Sequence, residues 1–345
     1  MNELQTILGE TAARLLSDHV TKELIQTAEQ GQWPKTLWTA LEENGLTRVL
    51  VPEAANGAGG TWSDAMIILK AAGEHAAPVP LGETILAAWV LSQAGLPVPD
   101  GPITLLGGGI SLNRQGPHWT AHGEAARVPW ARFAGHGVAL ADTGDGVVAA
   151  LAPLADAVIS HDTNLALEPR DTVRLDGIPV EASPLGLPAD ALTLYGAIVR
   201  AGQMAGALDY LLTQSVTYAN ERSQFGRPIG KFQAIQQELA VLATHTAAAG
   251  TAATYAAACA DKGDARFEIA VAKIRADEAA NAATGIAHQV HGALGFTYEH
   301  SLQFATRRLW SWRAEFGSGA YWATRIGRDA LGRGADALWP YITGR

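Results

Sequence analysis

The chain has 345 residues, 48% of them hydrophobic and 17% charged, which describes an ordered globular protein with room for two or three packed units. A net charge of −9 argues against a nucleic-acid partner, because neutralising phosphates takes a surplus of Lys and Arg. The single cysteine, Cys259, excludes an internal disulfide and a cysteine-rich zinc cluster, and its Ala-rich setting makes it a small buried residue.

The first residues mix acidic with apolar side chains and lack the basic start, apolar core and cleavage site of a signal peptide. No apolar run reaches the roughly 18–20 residues of a membrane span, so the expected location is the cytoplasm, away from membranes. Residues 1–101 read as a helical domain. Leu4, Ile7 and Leu8 recur at helical spacing, as do Leu37 and Leu41. Ser63 is a candidate cap for a helix carrying the apolar patch Met66–Leu69. Between them lies GLTRVLVPEAANGAGG, whose glycines lack the spacing and strand–helix setting of a phosphate loop and read as a connection.

Residues 102–187 read as a β domain. Short apolar runs at Ile103–Leu106, Val138–Ala141, Val147–Leu151 and Val173–Leu175 are punctuated by turns such as Thr143–Gly146 and Asp176-Gly177. No helix-length amphipathic segment separates them, which disfavours a parallel α/β sheet. Residues 188–345 return to long helices. Pro188 and Asp190 mark a start, and Leu192–Asn220 is apolar with many small residues. Phe232, Ile235, Leu239 and Leu242 mark the next helix. Others are expected over about Asp264–Val290, His300–Arg313 and Ala320–Leu338. Short connections make this an antiparallel bundle. The fold class is therefore mainly α with a central β domain.

Two segments of the bundle carry chemistry. The first is Arg222-Ser223-Gln224-Phe225-Gly226-Arg227-Pro228-Ile229-Gly230, followed by Phe232-Gln233. Arg offers a planar fork of donors suited to a pyrophosphate, and Phe225 an aromatic face for an adenine or for the neighbouring helix. The second is Gln289-Val290-His291-Gly292-Ala293-Leu294-Gly295-Phe296, a helix end opening into a Gly-rich turn where backbone amides can approach a ligand. Read alone, each is equally a helix C-cap with an inter-helix turn.

In this order, about 65 residues apart and followed by Arg307-Arg308, the two segments resemble the paired motifs of the acyl-CoA dehydrogenase superfamily. The three-part layout agrees, and GLTRVLVPEAANGAGG is similar to the family's N-terminal "GL…PE.yGG.G" turn. The resemblance implies an N-terminal helical domain, a middle β-barrel or sandwich and a C-terminal four-helix bundle that binds FAD and oligomerises. It further implies that Arg222, Gln224, Phe225, Gln233, Gln289 and Gly292 hold the ADP half of an FAD belonging mainly to a neighbouring subunit. Ser318 falls where the family has a flavin-contacting Thr, and His291 reads as a structural or polar filler.

The flavin-ring half departs from the family pattern. Family members carry a "TEP.aGSD"-type loop and a Trp-Ile-Ser/Thr-Asn segment whose hydroxyl and backbone contact the ring. Here the corresponding residues are Ile103–Ser111 and Arg127-Val128-Pro129-Trp130-Ala131. Pro129 takes the hydroxyl position with neither a hydroxyl nor an N–H to donate. Dehydrogenation at Cα–Cβ of a thioester needs a carboxylate for the α-proton while the flavin takes the β-hydride. An ungapped count puts Phe316 at that base position with Glu315 one residue early, and Gly196 and Ala197 stand at the family's alternative position.

Chain length and these departures resemble the short bacterial subunits of α2β2 acyl-CoA dehydrogenases acting on steroid or other bulky side-chain thioesters. The leading expectation is an FAD-dependent subunit that shares its FAD site with a homologous partner. The alternatives are a self-sufficient homotetramer using Glu315 as base and a non-catalytic scaffold of the same fold. The implied partners are an acyl-CoA substrate and an electron-transfer flavoprotein or other electron acceptor. No metal is implied.

Overall fold

The computed structural model describes residues 3–297 and 299–344. Five helices come first: α1 (Glu3–His19), α2 (Lys22–Glu29), α3 (Lys35–Glu43), α4 (Trp62–Glu74) and α5 (Leu81–Gln93). The α4 cap falls two residues before the expected Ser63. Thr61 accepts from the Asp64 amide while the Asp64 carboxylate accepts from the Thr61 amide, a reciprocal capping box. Ser63 instead donates its hydroxyl to Asp261 at 2.6 Å, tying this helix to the far bundle.

Strands β1 (Ile103–Leu106), β2 (Ile110–Gln115), β3 (His118–Pro129), β4 (His136–Asp142), β5 (Val147–Pro153), β6 (Val158–Ser160) and β7 (Arg170–Pro184) follow. They form one sheet in the order β1-β4-β5-β7-β3-β2, with β6 beside β7. Every pairing in it is antiparallel except β1 with β4. The 15-residue β7 serves both halves: its first part pairs with β3 and its last residues with β5. Ala121, Ala125, Val128, Leu106, Val173 and Leu175 fill a separate core between those halves.

The remaining helices are α6 (Ala191–Glu221), α7 (Gln233–Ala260), α8 (Arg266–His291), α9 (Leu302–Trp312), α10 (Gly319–Arg333) and α11 (Ala335–Thr343). A two-stranded hairpin, β8 (Ser223–Gln224) with β9 (Arg227–Pro228), joins α6 to α7. The helix expected over Ala320–Leu338 breaks at Gly334, whose φ of 84° only glycine adopts freely. Cys259 is half-buried rather than buried.

Helix α6 is the axis of the molecule, with Ala191–Leu208 buried except at Thr193. Its small residues are consumed by close packing. A β-carbon on Gly206 would collide with the Lys70 carbonyl of α4, and one on Gly73 of α4 with the Gln203 carbonyl of α6. They therefore leave no room beside α4 for a ligand. Among the described residues no helix is long and apolar enough to cross a membrane.

Candidate functional site

The two sequence motifs meet at one end of the bundle. Tyr218, in the last turn of α6, stacks on His291 at the end of α8 with ring centroids 4.6 Å apart, so both helices present their C-termini there. Helix α7 begins at the same end, where the Ile229 amide bonds the Arg222 carbonyl at 2.8 Å and Gln236 caps the Gly230 carbonyl at 3.0 Å. The β8–β9 turn has Phe225 at φ 52° and Gly226 at φ 79°, the paired positive angles of a tight hairpin turn. Glycine is cheap there; a phenylalanine costs ~1–2 kcal/mol. That strain holds a Phe225 side chain 92% exposed to solvent.

Arg222, Gln224, Gln233, Gln289 and Gly292 are all exposed at this end. The four polar side chains make no hydrogen bond or ion pair among the described residues. Gly292 sits at φ 60°, turning its backbone outward past the end of α8. A guanidinium fork, three amides and an exposed aromatic ring, edge-on to Phe232 with centroids 6.2 Å apart, form a face that fits the phosphates and base of a dinucleotide. The face is open, so a ligand on it needs a second wall. His291 is 2% exposed, stacked on Tyr218 and bonded through Nδ1 to the Ala287 carbonyl, a packing role.

A cavity of about 390 Å³ lies at the opposite end, between the sheet, the start of α6 and the loop before α10. Pro129 lines it, its carbonyl taken by the Thr104 hydroxyl. Trp130 is 3% exposed and packs beside Trp33 and Phe133; it belongs to the core. The position where a ring-binding hydroxyl is expected thus offers no donor.

Glu315 lines the same cavity, yet its carboxylate is already engaged. Arg170 bonds both oxygens at 2.8 and 3.1 Å, and Arg200 bonds Oε2 at 2.7 Å. Burial pushes the Glu315 carboxyl up, but the Arg170 and Arg200 guanidiniums outweigh it and hold it at about 2. Such a carboxylate is a poor proton acceptor for carbon chemistry near neutral pH. The network continues in both directions: Arg200 to Glu83 and Gln203, and Arg170 to Glu168, which also accepts from Trp312 and pairs with Arg308. It ties α5, α6, β7 and α9 to one loop.

Phe316 holds a left-handed backbone, φ 53°. Its ring lies against Gly196, where a β-carbon would collide with it. Both positions expected to offer a base are therefore occupied by one aromatic–glycine contact. The loop is fixed from behind by Lys273, whose ammonium donates to the Arg313 and Gly317 carbonyls at 2.7 and 2.9 Å. Burial pulls Lys273 down to about 8 against the opposing pull of Asp277. Ser318, expected to touch a flavin, accepts from the Tyr321 amide at 3.2 Å as the N-cap of α10.

Helix α6 separates the two ends. Its 31 residues span ~46 Å at 1.5 Å per residue.

Residues 2–97 match the family described as acyl-CoA dehydrogenase, N-terminal domain, and residues 190–331 match acyl-CoA dehydrogenase, C-terminal domain. The chain belongs to the acyl-CoA dehydrogenase family. Its enzyme class is oxidoreductase acting on acyl-CoA, and its cofactor is FAD. Among the curated relatives, acyl-CoA dehydrogenase IpdE2 of Mycolicibacterium smegmatis is 29% identical over 89% of this chain and 93% of its own. A variant of the Tcur3481-Tcur3483 steroid ACAD matches at 26% identity with TM-score 0.86, over 96% of this chain and 99% of that one. The ChsE4-ChsE5 complex of Mycobacterium tuberculosis matches in fold at 23% identity, TM-score 0.89, over 96% and 98%.

Sequence reasoning missed Arg170, Arg200 and Glu83. The signal was present for two of them. Arg200 interrupts the apolar run GAIVRAGQMAGAL, and Glu83 stands in LGETILAAWVL. A lone charge inside an apolar helix needs a buried partner. Arg307 and Arg308, part of the resemblance, are engaged with Glu29 at 2.6 Å and with Glu168.

Proposed function

We propose that this chain is one of two homologous subunits of a heteromeric acyl-CoA dehydrogenase, and that residues 188–345 supply the ADP-binding wall of an FAD site. Arg222 and Gln224 would hold the pyrophosphate, Phe225 the adenosine, and Gln233, Gln289 and Gly292 the rest of that wall. The flavin-ring contacts and the base would come from the partner subunit. When bound, FAD accepts the β-hydride of the thioester while a carboxylate takes the α-proton.

One observation carries the reading: the end with unengaged donors and the end where a base is expected lie on opposite ends of α6, and the cavity at the second offers no free base or ring donor, with Pro129 lacking one, Phe316 packed against Gly196 and Glu315 doubly paired. A chain able to build only one wall needs another chain for the second. The names of the similar steroid ACAD and of the ChsE4-ChsE5 complex, each pairing two different proteins, support a heteromeric assembly, α2β2 in this reading, and the first supports a steroid-derived or similarly bulky acyl-CoA substrate. An electron-transfer flavoprotein or another acceptor would reoxidise the flavin, and the cytoplasm is the location that fits such an enzyme.

The test is to purify the chain alone and with a co-expressed homologous dehydrogenase subunit. The reading expects a colourless, inactive single chain and a yellow complex that oxidises acyl-CoA. Stoichiometric FAD and turnover with the single chain would overturn it in favour of a homotetramer using Glu315. A complex whose FAD and activity survive Arg222→Ala would point to a scaffold.

A further inference from the structure

Two histidines alternate with the binding residues at the end of α8. Gln289 and Gly292 are exposed there, whereas His288 is half-buried and His291 is 2% exposed. The short Gly292–Phe296 turn rests on both imidazoles. A β-carbon on Gly295 would lie 3.1 Å from the His291 β-carbon and 3.2 Å from His288 Nδ1. The Phe296 ring stacks on His288 with centroids 4.2 Å apart. A third imidazole, His300, meets His291 edge-on at 4.8 Å, and Tyr218 stacks on the same His291 ring.

The hydrogen bonds fix where the protons sit. His291 Nδ1 lies 2.8 Å from the Ala287 carbonyl, which can only accept, so Nδ1 carries the proton. His288 Nε2 lies 3.1 Å from the Thr306 hydroxyl, which itself donates to the Gln303 carbonyl at 3.4 Å, so Nε2 carries the proton. The other nitrogens, His291 Nε2 and His288 Nδ1, are buried with no hydrogen-bond partner among the described residues. A second proton on either ring would put a cation and an unmatched N–H in the interior. The groups facing the pair offer no counter-charge. Tyr218 of α6 and Thr306 of α9 are neutral, Lys22 of α2 sets a positive charge beside His300, and Arg307 of α9 is turned to Glu29.

We propose that His288 and His291 are positioning residues for the ADP wall: in their neutral form they seat the Gly292–Phe296 turn, and with it Gln289 and Gly292, while protonation unseats the turn and releases FAD. The proposal rests on the reading that FAD binds at this end of the bundle. Burial pulls both imidazoles below the ordinary 6.5; for His291 the Ala287 carbonyl opposes this, and His300 and His288 add to it. An opened turn therefore binds more protons than a seated one. The support it receives from the two rings is full above about pH 6.5 and is lost as pH falls below that.

Two measurements test it. On the single chain, hydrogen exchange between about pH 7.5 and about pH 5.5 should show residues 292–296 losing protection as pH falls, with helix content by circular dichroism unchanged. On the assembled complex, flavin fluorescence should show FAD affinity falling about tenfold per pH unit for each proton taken up. His291→Asn keeps a donor at the Nδ1 position and His288→Gln one at the Nε2 position, and neither titrates. The double variant should retain both FAD and the protected turn at about pH 5.5. A parent turn that stays protected at acid pH, or an acid loss of FAD that is the same in the double variant, overturns the proposal and leaves the subunit reading standing. A turn that opens while the complex keeps its FAD overturns both, because the cofactor then does not lie on this wall.

Discussion

The two ends of α6 use the same residue types for opposite purposes. At the C-terminal end, Arg222, Gln224, Gln233 and Gln289 are exposed and unengaged, and Phe225 stands 92% exposed on a strained turn. At the N-terminal end, Arg170 and Arg200 are 4% and 1% exposed and each is paired with two carboxylates, and the Phe316 ring fills the space over Gly196. Exposed polar groups with no protein partner stay available to a ligand, whereas those paired with buried carboxylates are part of the packed structure. The comparison teaches that the same residue types stay exposed at one end of a helix and become an ion-paired core at the other, which under the proposed function separates the binding wall from the end that lacks a base.

The sharpest way to break that comparison is Arg222→Ala in the assembled complex. Removing a bidentate pyrophosphate partner should lower FAD retention by tenfold or more, read from the flavin absorbance after gel filtration, with Tm of the apo-protein unchanged. Unchanged flavin would mean that the exposed end binds nothing.

The mirror experiment is Arg200→Ala. It leaves Glu83, 2% exposed, and Glu315 facing each other without their shared guanidinium, and stranding buried charge typically costs about 3–5 kcal/mol. Urea unfolding should show that loss. A variant as stable as the parent would mean the network is dispensable, and the contrast between the two ends would lose its physical basis.

Most of the architecture was legible because it rests on local patterns. The helical period around Leu37 and Leu41, the short punctuated runs of the sheet and the motifs at Arg222 and Gln289 are all contiguous. Pro129 was readable for the same reason, since a missing N–H is a property of one residue. What stayed hidden is long-range. Glu315 meets Arg170 and Arg200 across 145 and 115 positions of sequence, and nothing local distinguishes a free carboxylate from a doubly paired one. The Phe316–Gly196 contact is concealed likewise: each residue is plain in the sequence, but their mutual occupation is a tertiary fact.

A third prediction uses pH. The carboxyl of Glu315 lies at about 2 in the folded protein against an ordinary 4.5. Its stabilising contribution is therefore full above about pH 4.5 and is lost as pH falls from there toward 2. A shift of this size corresponds to about 3 kcal/mol. Glu315→Gln should flatten the acid limb of stability in that window, followed by circular dichroism. It should leave the pH profile of turnover of the complex between about pH 6 and 9 in place. A turnover loss of several orders of magnitude would restore Glu315 as the base and collapse the distinction between the ends.

The smallest expected effect separates capping from cofactor contact at Ser318. Its oxygen accepts from the Tyr321 amide at 3.2 Å, opening α10 immediately after the loop of Glu315 and Phe316. Replacing a serine cap by alanine costs about 1 kcal/mol, so Ser318→Ala should lower Tm slightly without changing FAD content. Ser318→Asp retains a cap acceptor and adds negative charge at the helix N-terminus, which favours it; it should recover the lost stability. If either variant releases flavin while stability is preserved, Ser318 touches the cofactor, and the N-terminal end of α6 belongs to the FAD site after all.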